Sequence, residues 1–275
     1  MDKFINDPDI GRIHLRKVPG ISELRISVHP RLGVTVSVPW LLRYPVAIRF
    51  LREKKPWIMK MQEKQRRREA EAESSGKGIP LIGDGTVLHT LNRTVTVRQS
   101  EDNLLFKGAI DVEGNSHVVS TRRRTLAQKR PMVRVKMTPD SALITFPADF
   151  PSMPEKDSVE GRLLSSAYQR ILRREAKEVL PQKMAGLAAK HGFKYNRLAF
   201  KNNISNWGSC SSRDNINLNI HLMRLPERLV DYVCLHELCH LKHHDHGAGF
   251  HKLLDSLCGG HEAEYRAELR SYRLY

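Results

Sequence analysis

The sequence predicts an α+β protein in two parts: a β-rich amino-terminal region, residues 1–150 with one helix near 45–70, and a largely helical domain over 155–275. Three observations predict it. Short stretches of alternating apolar residues fill the first part, apolar spacing turns helical in the second, and a His-Glu-x-x-His sequence at 236–240 falls on a predicted helix. With 275 residues, 40% of them hydrophobic, the chain can bury a core, which excludes a wholly disordered protein.

Taken in order, Leu24, Ile26 and Val28 alternate with polar residues, His29 to Gly33 supplies turn chemistry, and Val34, Val36 and Val38 alternate again, which predicts a β-hairpin. From Pro45 the spacing of Val46, Phe50, Leu51, Trp57, Ile58 and Met61 is helical, with Pro56 expected to break or kink the segment. Lys64 to Ser75, including Arg66, Arg67 and Arg68, has no apolar period and reads as a solvated helix end and linker. Thr94–Val97, Val133–Met137 and Leu143–Phe146 alternate like strands, and Pro147, Pro151 and Pro154 mark the expected domain boundary. No internal repeat is visible.

Beyond the boundary, Leu163, Leu164, Ala167, Ile171 and Leu172 share a helical stripe, and Pro181 is expected to divide that helix from another ending near Gly192. Leu198 to Ile204 reads as a strand. Asn215 to Leu222 alternates throughout, with Ile216, Leu218, Ile220 and Leu222 opposite Asn217, Asn219 and His221, as a half-buried strand does. Pro226 suits the first turn of the helix that Leu229, Val233 and Leu241 carry through the metal motif.

Charge narrows the partners. Lys and Arg number 46 against 30 Asp and Glu, a net +16 spread over both halves, so the surface should attract nucleic acid, nucleotides, anionic lipid or acidic protein. Met1 to Ile10 carries Asp2, Asp7 and Asp9 and lacks the basic and apolar regions of a signal peptide, and no apolar stretch approaches the ~18 residues of a membrane span. The expectation is a soluble cytoplasmic protein with no membrane partner. Cys210, Cys234, Cys239 and Cys258 include no CxxC pair, are too few for a disulfide framework, and read as reduced thiols.

In His236-Glu237-Leu238-Cys239-His240 the two histidines lie at i and i+4 on one helix face, so both imidazoles can reach one ion, and Glu237 sits beside it to orient and deprotonate a water. A hydrolytic zinc site takes three protein ligands and keeps a position open. His243, His244, His246, His251, Glu262 and Glu264 are the candidates for the third. On a continued helix His243 would stand about 10 Å along the axis from His236, too far for one ion, so the chain must first turn. Asp245 to Gly249 has turn composition, which makes His246 the first histidine able to fold back, with His251 as its rival. His243 and His244 then read as solvated helix-end residues. The spacing equals that of metzincin peptidases, but His243 stands where their motif has Gly, and no methionine follows Met223 to make a Met-turn.

Asn206-Trp207-Gly208-Ser209-Cys210-Ser211-Ser212, the alternating strand to Leu222, Tyr232-Val233, the HELCHL run from His236, Asp245-His246 and Phe250 together closely resemble the YgjP-like family of zinc metallopeptidases, relatives of the SprT-like proteins. The early hairpin and Phe50 to Ile58 also look like that family. The resemblance implies a zincin-like catalytic domain, one Zn2+ per chain held by His236, His240 and His246, and Glu237 as the catalytic general base. Asn206 replaces an Arg common before the Trp, Asp245 a frequent Asn, and Gly247 a Ser; these departures bear on substrate detail rather than on the metal.

Zinc lowers the pKa of its water toward about 7, so Glu237 can take the proton for attack on a carbonyl or a phosphoryl group. The expected function is zinc-dependent peptide or protein hydrolysis. The alternatives are a metal-dependent nucleoside triphosphate pyrophosphohydrolase and a non-catalytic zinc-bearing nucleic-acid-binding module. The absence of a Walker motif or dinucleotide fingerprint favours the peptidase. Asn215 to Leu222 is either a strand that pairs with extended substrate or an ordinary interior strand. Trp207 to Ser212 reads as a structural turn packed by Trp207, or as polar groups presented to the cleft. His221 reads as a solvated residue or an oxyanion stabiliser, and Cys239 as a small core residue. Arg66–Arg68 and Arg122–Arg124 are either solvated faces or phosphate grips.

Overall fold

The computed structural model describes residues 2–29, 33–101 and 133–274 of the chain. It is α+β, with β-rich structure first and the metal-motif helices last. Two compact units divide it, Met1–Ile79 with a short carboxy-terminal piece at Ser271–Arg273, and Pro80–Arg270. The strands between residues 87 and 146 therefore group with the helices after them, and the proline-rich segment at 147–154 lies inside the second unit.

The first unit holds β1 (Lys3–Asp7), β2 (Gly11–Val18), β3 (Arg25–His29) and β4 (Gly33–Pro39), followed by α1 (Tyr44–Ser74). The strands pair in the order β1-β2-β4-β3. The expected hairpin is β3 with β4, where Val28 faces Val34. Alternation puts Ile13 and Leu15 of β2 and Val34, Val36 and Val38 of β4 on one face, where they are fully buried with Ala47 and Ile58 of α1. Each large apolar side chain so buried contributes about 1.5–3 kcal/mol. Pro56 neither ends nor divides α1, which runs on to Ser74. Gln62 and Gln65 tie its second half to the carbonyls of Ile10 and Val28, so the residues after Lys64 that have no apolar period remain helical.

The second unit begins with β5 (Val87–His89), β6 (Thr94–Gln99), β7 (Arg134–Met137) and β8 (Ser141–Phe146), followed by α2 (Val159–His191). Their order is β5-β6-β8-β7. The outer pairs are antiparallel and the central pair, β6 with β8, is parallel. The first sheet has the same arrangement, antiparallel outside and parallel between β2 and β4. The chain thus builds a four-strand, one-helix topology twice, a duplication not visible as sequence similarity because only the alternation is shared.

Helix α2 is one helix and not two. Ser158 caps its start through the Gly161 amide, and Gly192 at φ 71 closes its end. Pro181 sits within it, and the buried stripe of Leu172, Ala176, Leu180, Met184 and Ala188 continues through the proline. That continuous packing offsets the lost backbone bond. Around α2 gather β7 and β8, then β9 (Arg197–Lys201) and α3 (Glu227–Cys239). Between these last two lie β10 (Gly208–Cys210) and β11 (Asn215–Asn219), which join β9 in a small sheet of order β10-β11-β9. The alternating segment stops being a strand at Asn219 and continues as a 3-10 turn, Ile220–Arg224. Finally come α4 (Ala248–Leu257) and α5 (Glu262–Leu269). Among the described residues no helix is long and apolar enough to cross a membrane.

Candidate metal centre

Helix α3 ends at Cys239, inside the motif, so His240 occupies its carboxy-terminal cap position. The chain turns over Leu241 to Gly247 and re-enters a helix at Ala248. This reversal returns His246 to His236 and His240: one ring nitrogen from each lies within 4.8 Å of the others. Nε2 of His246 is 3.1 Å from Nε2 of His236. The ring of Phe250, fully buried at the start of α4, packs 4.7–4.8 Å from all three imidazoles and fixes their planes from below.

The protonation of this group suits a cation. Nδ1 of His240 lies 3.0 Å from the carbonyl of His243. A carbonyl only accepts, so Nδ1 carries the proton and Nε2 keeps its lone pair. Burial, then the neighbouring imidazoles, holds His236 neutral down to about pH 3. Burial likewise lowers His240. With His246 the two make three imidazoles converging on one point, a set of nitrogen donors that could hold a divalent ion such as zinc.

Glu237 points from the same helix turn toward β10. It is 3% exposed, and burial pushes its carboxyl up to about 8. Its Oε2 has no hydrogen-bond partner among the described residues. Gly208 makes room for it: a Cβ there would stand 2.5 Å from Oε1. The segment bearing Gly208 is pinned from behind, because Asn219 donates to the carbonyls of Asn203 and Asn206 and its own amide donates to Trp207. Asn206 in turn donates to the Gly208 carbonyl at 2.9 Å. The sequence places Asn219 on the polar side of the alternating segment but gives no sign that it bonds back to the loop at residues 203–207.

A cleft of about 750 Å³ opens over this centre, with Asn206 to Cys210 on one wall and Tyr232, Glu262 and Arg266 on another. Trp207 to Cys210 therefore both packs and lines the cleft. His251, the rival third ligand, directs Nδ1 at the buried Glu262, 3.4 Å away, and His261 pairs with Glu264. The ring of His243 lies against Gly249, while His244 reaches the cleft wall. His221 is neither solvated nor in the cleft: it is 3% exposed, on the 3-10 turn, with Nε2 3.1 Å from Asn202 Oδ1. That position leaves it no part in oxyanion stabilisation. Cys239 is fully buried, and the four cysteines are free thiols. Of the two readings of Asn215 to Leu222, the interior strand is the one seen, because β11 is paired on both sides and has no edge for substrate. The strand with one unpaired edge beside Glu237 is β10. Arg122–Arg124 lie outside the described residues.

A helix-borne pair of histidines and a third returned by a turn could hold a metal ion, and a buried carboxylate lies beside them. The chain belongs to the YgjP-like family, whose metallopeptidase domain matches residues 113–272. A solved structure with similarity is the metallopeptidase zymogen jannalysin of Methanocaldococcus jannaschii, 21% identical over 32% of this chain and 95% of that one, with a TM-score of 0.27. No curated protein matches the chain.

Proposed function

We propose that this protein is a zinc-dependent peptidase, in which His236, His240 and His246 hold one zinc ion per chain and Glu237 is the general base. The observation that carries the reading is the pairing of three converging imidazoles with a buried carboxylate whose Oε2 has no partner among the described residues. Zinc bound there supplies Lewis acidity and brings the pKa of water toward about 7. With a divalent cation beside it the Glu237 carboxyl would be held charged, free to accept a proton at Oε2 and to pass it to a leaving amine. Phe250 and the His240–His243 contact keep the imidazoles oriented.

An extended peptide would pair with the open edge of β10 by backbone hydrogen bonds, which lays a scissile carbonyl along the cleft that Glu237 borders. Peptide or protein substrate follows from that edge, since a strand offers donors and acceptors at peptide spacing. The test is Glu237→Gln: zinc content and fold should be retained while hydrolysis of casein is abolished, because an amide cannot accept the proton. Turnover at the wild-type rate would remove Glu237 from the chemistry. Release of pyrophosphate from nucleoside triphosphates, with casein untouched, would transfer the same centre to phosphoryl substrates.

A further inference from the structure

We propose that the open sheet faces of this protein bind single-stranded nucleic acid through a duplicated Arg–hydroxyl–Arg row. In the first sheet Ser37 of β4 is registered with Arg16 of β2 on one side and with Arg25 of β3 on the other. In the second sheet Thr145 of β8 is registered in the same way with Arg98 of β6 and Arg134 of β7. The positions are topologically equivalent: Arg25 and Arg134 each begin their strand, and each row lies one residue beyond a buried apolar row, Leu15 with Val36 and Val97 with Ile144. All four arginines are exposed. Since adjacent strands are about 4.8 Å apart, the two arginines of a row stand about 10 Å apart at the backbone. Their forks can close on one phosphate over the hydroxyl or take two successive ones.

The row beside it in the first sheet supplies a flat surface. Phe4 is registered with His14, and their rings stack at 4.5 Å with 13° between planes. Arg12 lies over the same Phe4 ring at 4.3 Å. Phe4 is nonetheless 53% exposed, an apolar ring kept in water on a polar face. The strand positions on this face carry Arg, His, Ser, Thr and Asn but no carboxylate, and among the described residues Asp2 reaches it, against His14. Guanidinium rows next to stacked rings match a ligand with regularly spaced phosphates and planar bases. Occurrence of the row in both sheets suits a repeating polyanion better than a single small anion.

The experiment uses the full chain and a fluorescein-labelled 20-nucleotide single strand, with anisotropy read at several salt concentrations. Wild type should bind, and the paired variant Arg16→Gln/Arg25→Gln should bind at least tenfold more weakly, with the slope of log affinity against log salt reduced by about 1.4. Arg98→Gln/Arg134→Gln should act in the same direction, and Phe4→Ala should cost about tenfold with the salt slope unchanged. Neutralising Arg66 to Arg68, which lie on α1, should change little. Unaltered melting and zinc content show that each variant is folded. As a measurement free of substitutions, photocrosslinking of a 4-thiouridine oligonucleotide should map to peptides of β1, β2 or β3. Absence of binding at low salt, loss on neutralising Arg66 to Arg68 but not the rows, crosslinks confined elsewhere, or equal binding of heparin and duplex DNA indifferent to Phe4→Ala would each overturn the proposal.

Discussion

Replacing Glu237 by Gln should make the stability of the metal-free protein less sensitive to rising pH, although it removes the proposed general base. Burial moves the Glu237 carboxyl from its ordinary 4.5 up to about 8. Between those values the unfolded chain has released this proton while the folded chain still holds it. Wild-type stability therefore falls as pH rises from about 4.5 to about 8 and levels off above. At about 1.36 kcal/mol per pH unit the whole interval amounts to roughly 5 kcal/mol. Water entering the open cleft screens the charge, which leaves about 2–3 kcal/mol. Glutamine does not titrate, and any cost of its unpaired amide, about 1–3 kcal/mol, is independent of pH. The quantity to follow is thus the difference between variant and wild type, which should grow by about 2–3 kcal/mol across the window. Urea unfolding of chelator-treated protein, followed by Trp207 with Trp40 and Trp57 replaced by Phe, measures it. Zinc should suppress the effect, because a divalent cation beside the carboxylate favours its charged form. Identical pH dependence of the two metal-free proteins would refute the argument that Glu237 is held protonated by burial.

Three further outcomes test the centre. His246→Ala should weaken zinc binding by more than about a hundredfold in a competitive chelator titration while His243→Ala and His244→Ala leave it unchanged; full retention in His246→Ala with loss in His251→Ala would move the third ligand to residue 251. Gly208→Ala puts a Cβ 2.5 Å from Glu237 Oε1 and must displace the carboxylate, so peptide hydrolysis should drop about a hundredfold with zinc retained, and wild-type turnover would show that the carboxylate does not act from this position. Phe250→Ala removes the fully buried ring beneath the imidazoles, which should cost about 3–5 kcal/mol in denaturant unfolding and loosen zinc binding; an unchanged zinc affinity would mean the histidines are oriented without it.

The legible parts of this protein were those with short-range causes. Alternation at Val34, Val36 and Val38 and the i, i+4 spacing of His236 and His240 each follow from the geometry of one element, and both are present. Packing overrides proline here: Pro56 and Pro181 lie within α1 and α2, where Ile58 beside the one joins the core of the first sheet and Leu180 and Met184 beside the other are buried. The opening strands β1 and β2 carry a weaker signal, since in β2 only Ile13 and Leu15 alternate with Arg12, His14 and Arg16, and the pairing that buries them is made with β4 farther along the chain. The alternation of Asn215 to Leu222 overran the strand because Asn219 caps a 3-10 turn through the His221 amide, a side-chain bond that hydrophobic period does not register.

The two sequence segments that looked most distinctive, around Gly208 and around Glu237, are halves of one device. A carboxylate that is to take and return protons needs burial to raise its proton affinity, yet it must keep one oxygen unpartnered. In the second unit that combination arises because a glycine on an edge strand lies against Oε1, where any side chain would collide, while Oε2 is left without a partner. The edge strand is held in place by Asn219, whose backbone and side chain bond to Trp207, Asn203 and Asn206. The position of the proposed general base thus depends on an asparagine that is outside the lining of the cleft. Short-helix geometry completes the arrangement. Because α3 stops at Cys239, the chain can return His246 to the side of His236 and His240 within a seven-residue turn, which a continuing helix would have carried away at about 1.5 Å per residue.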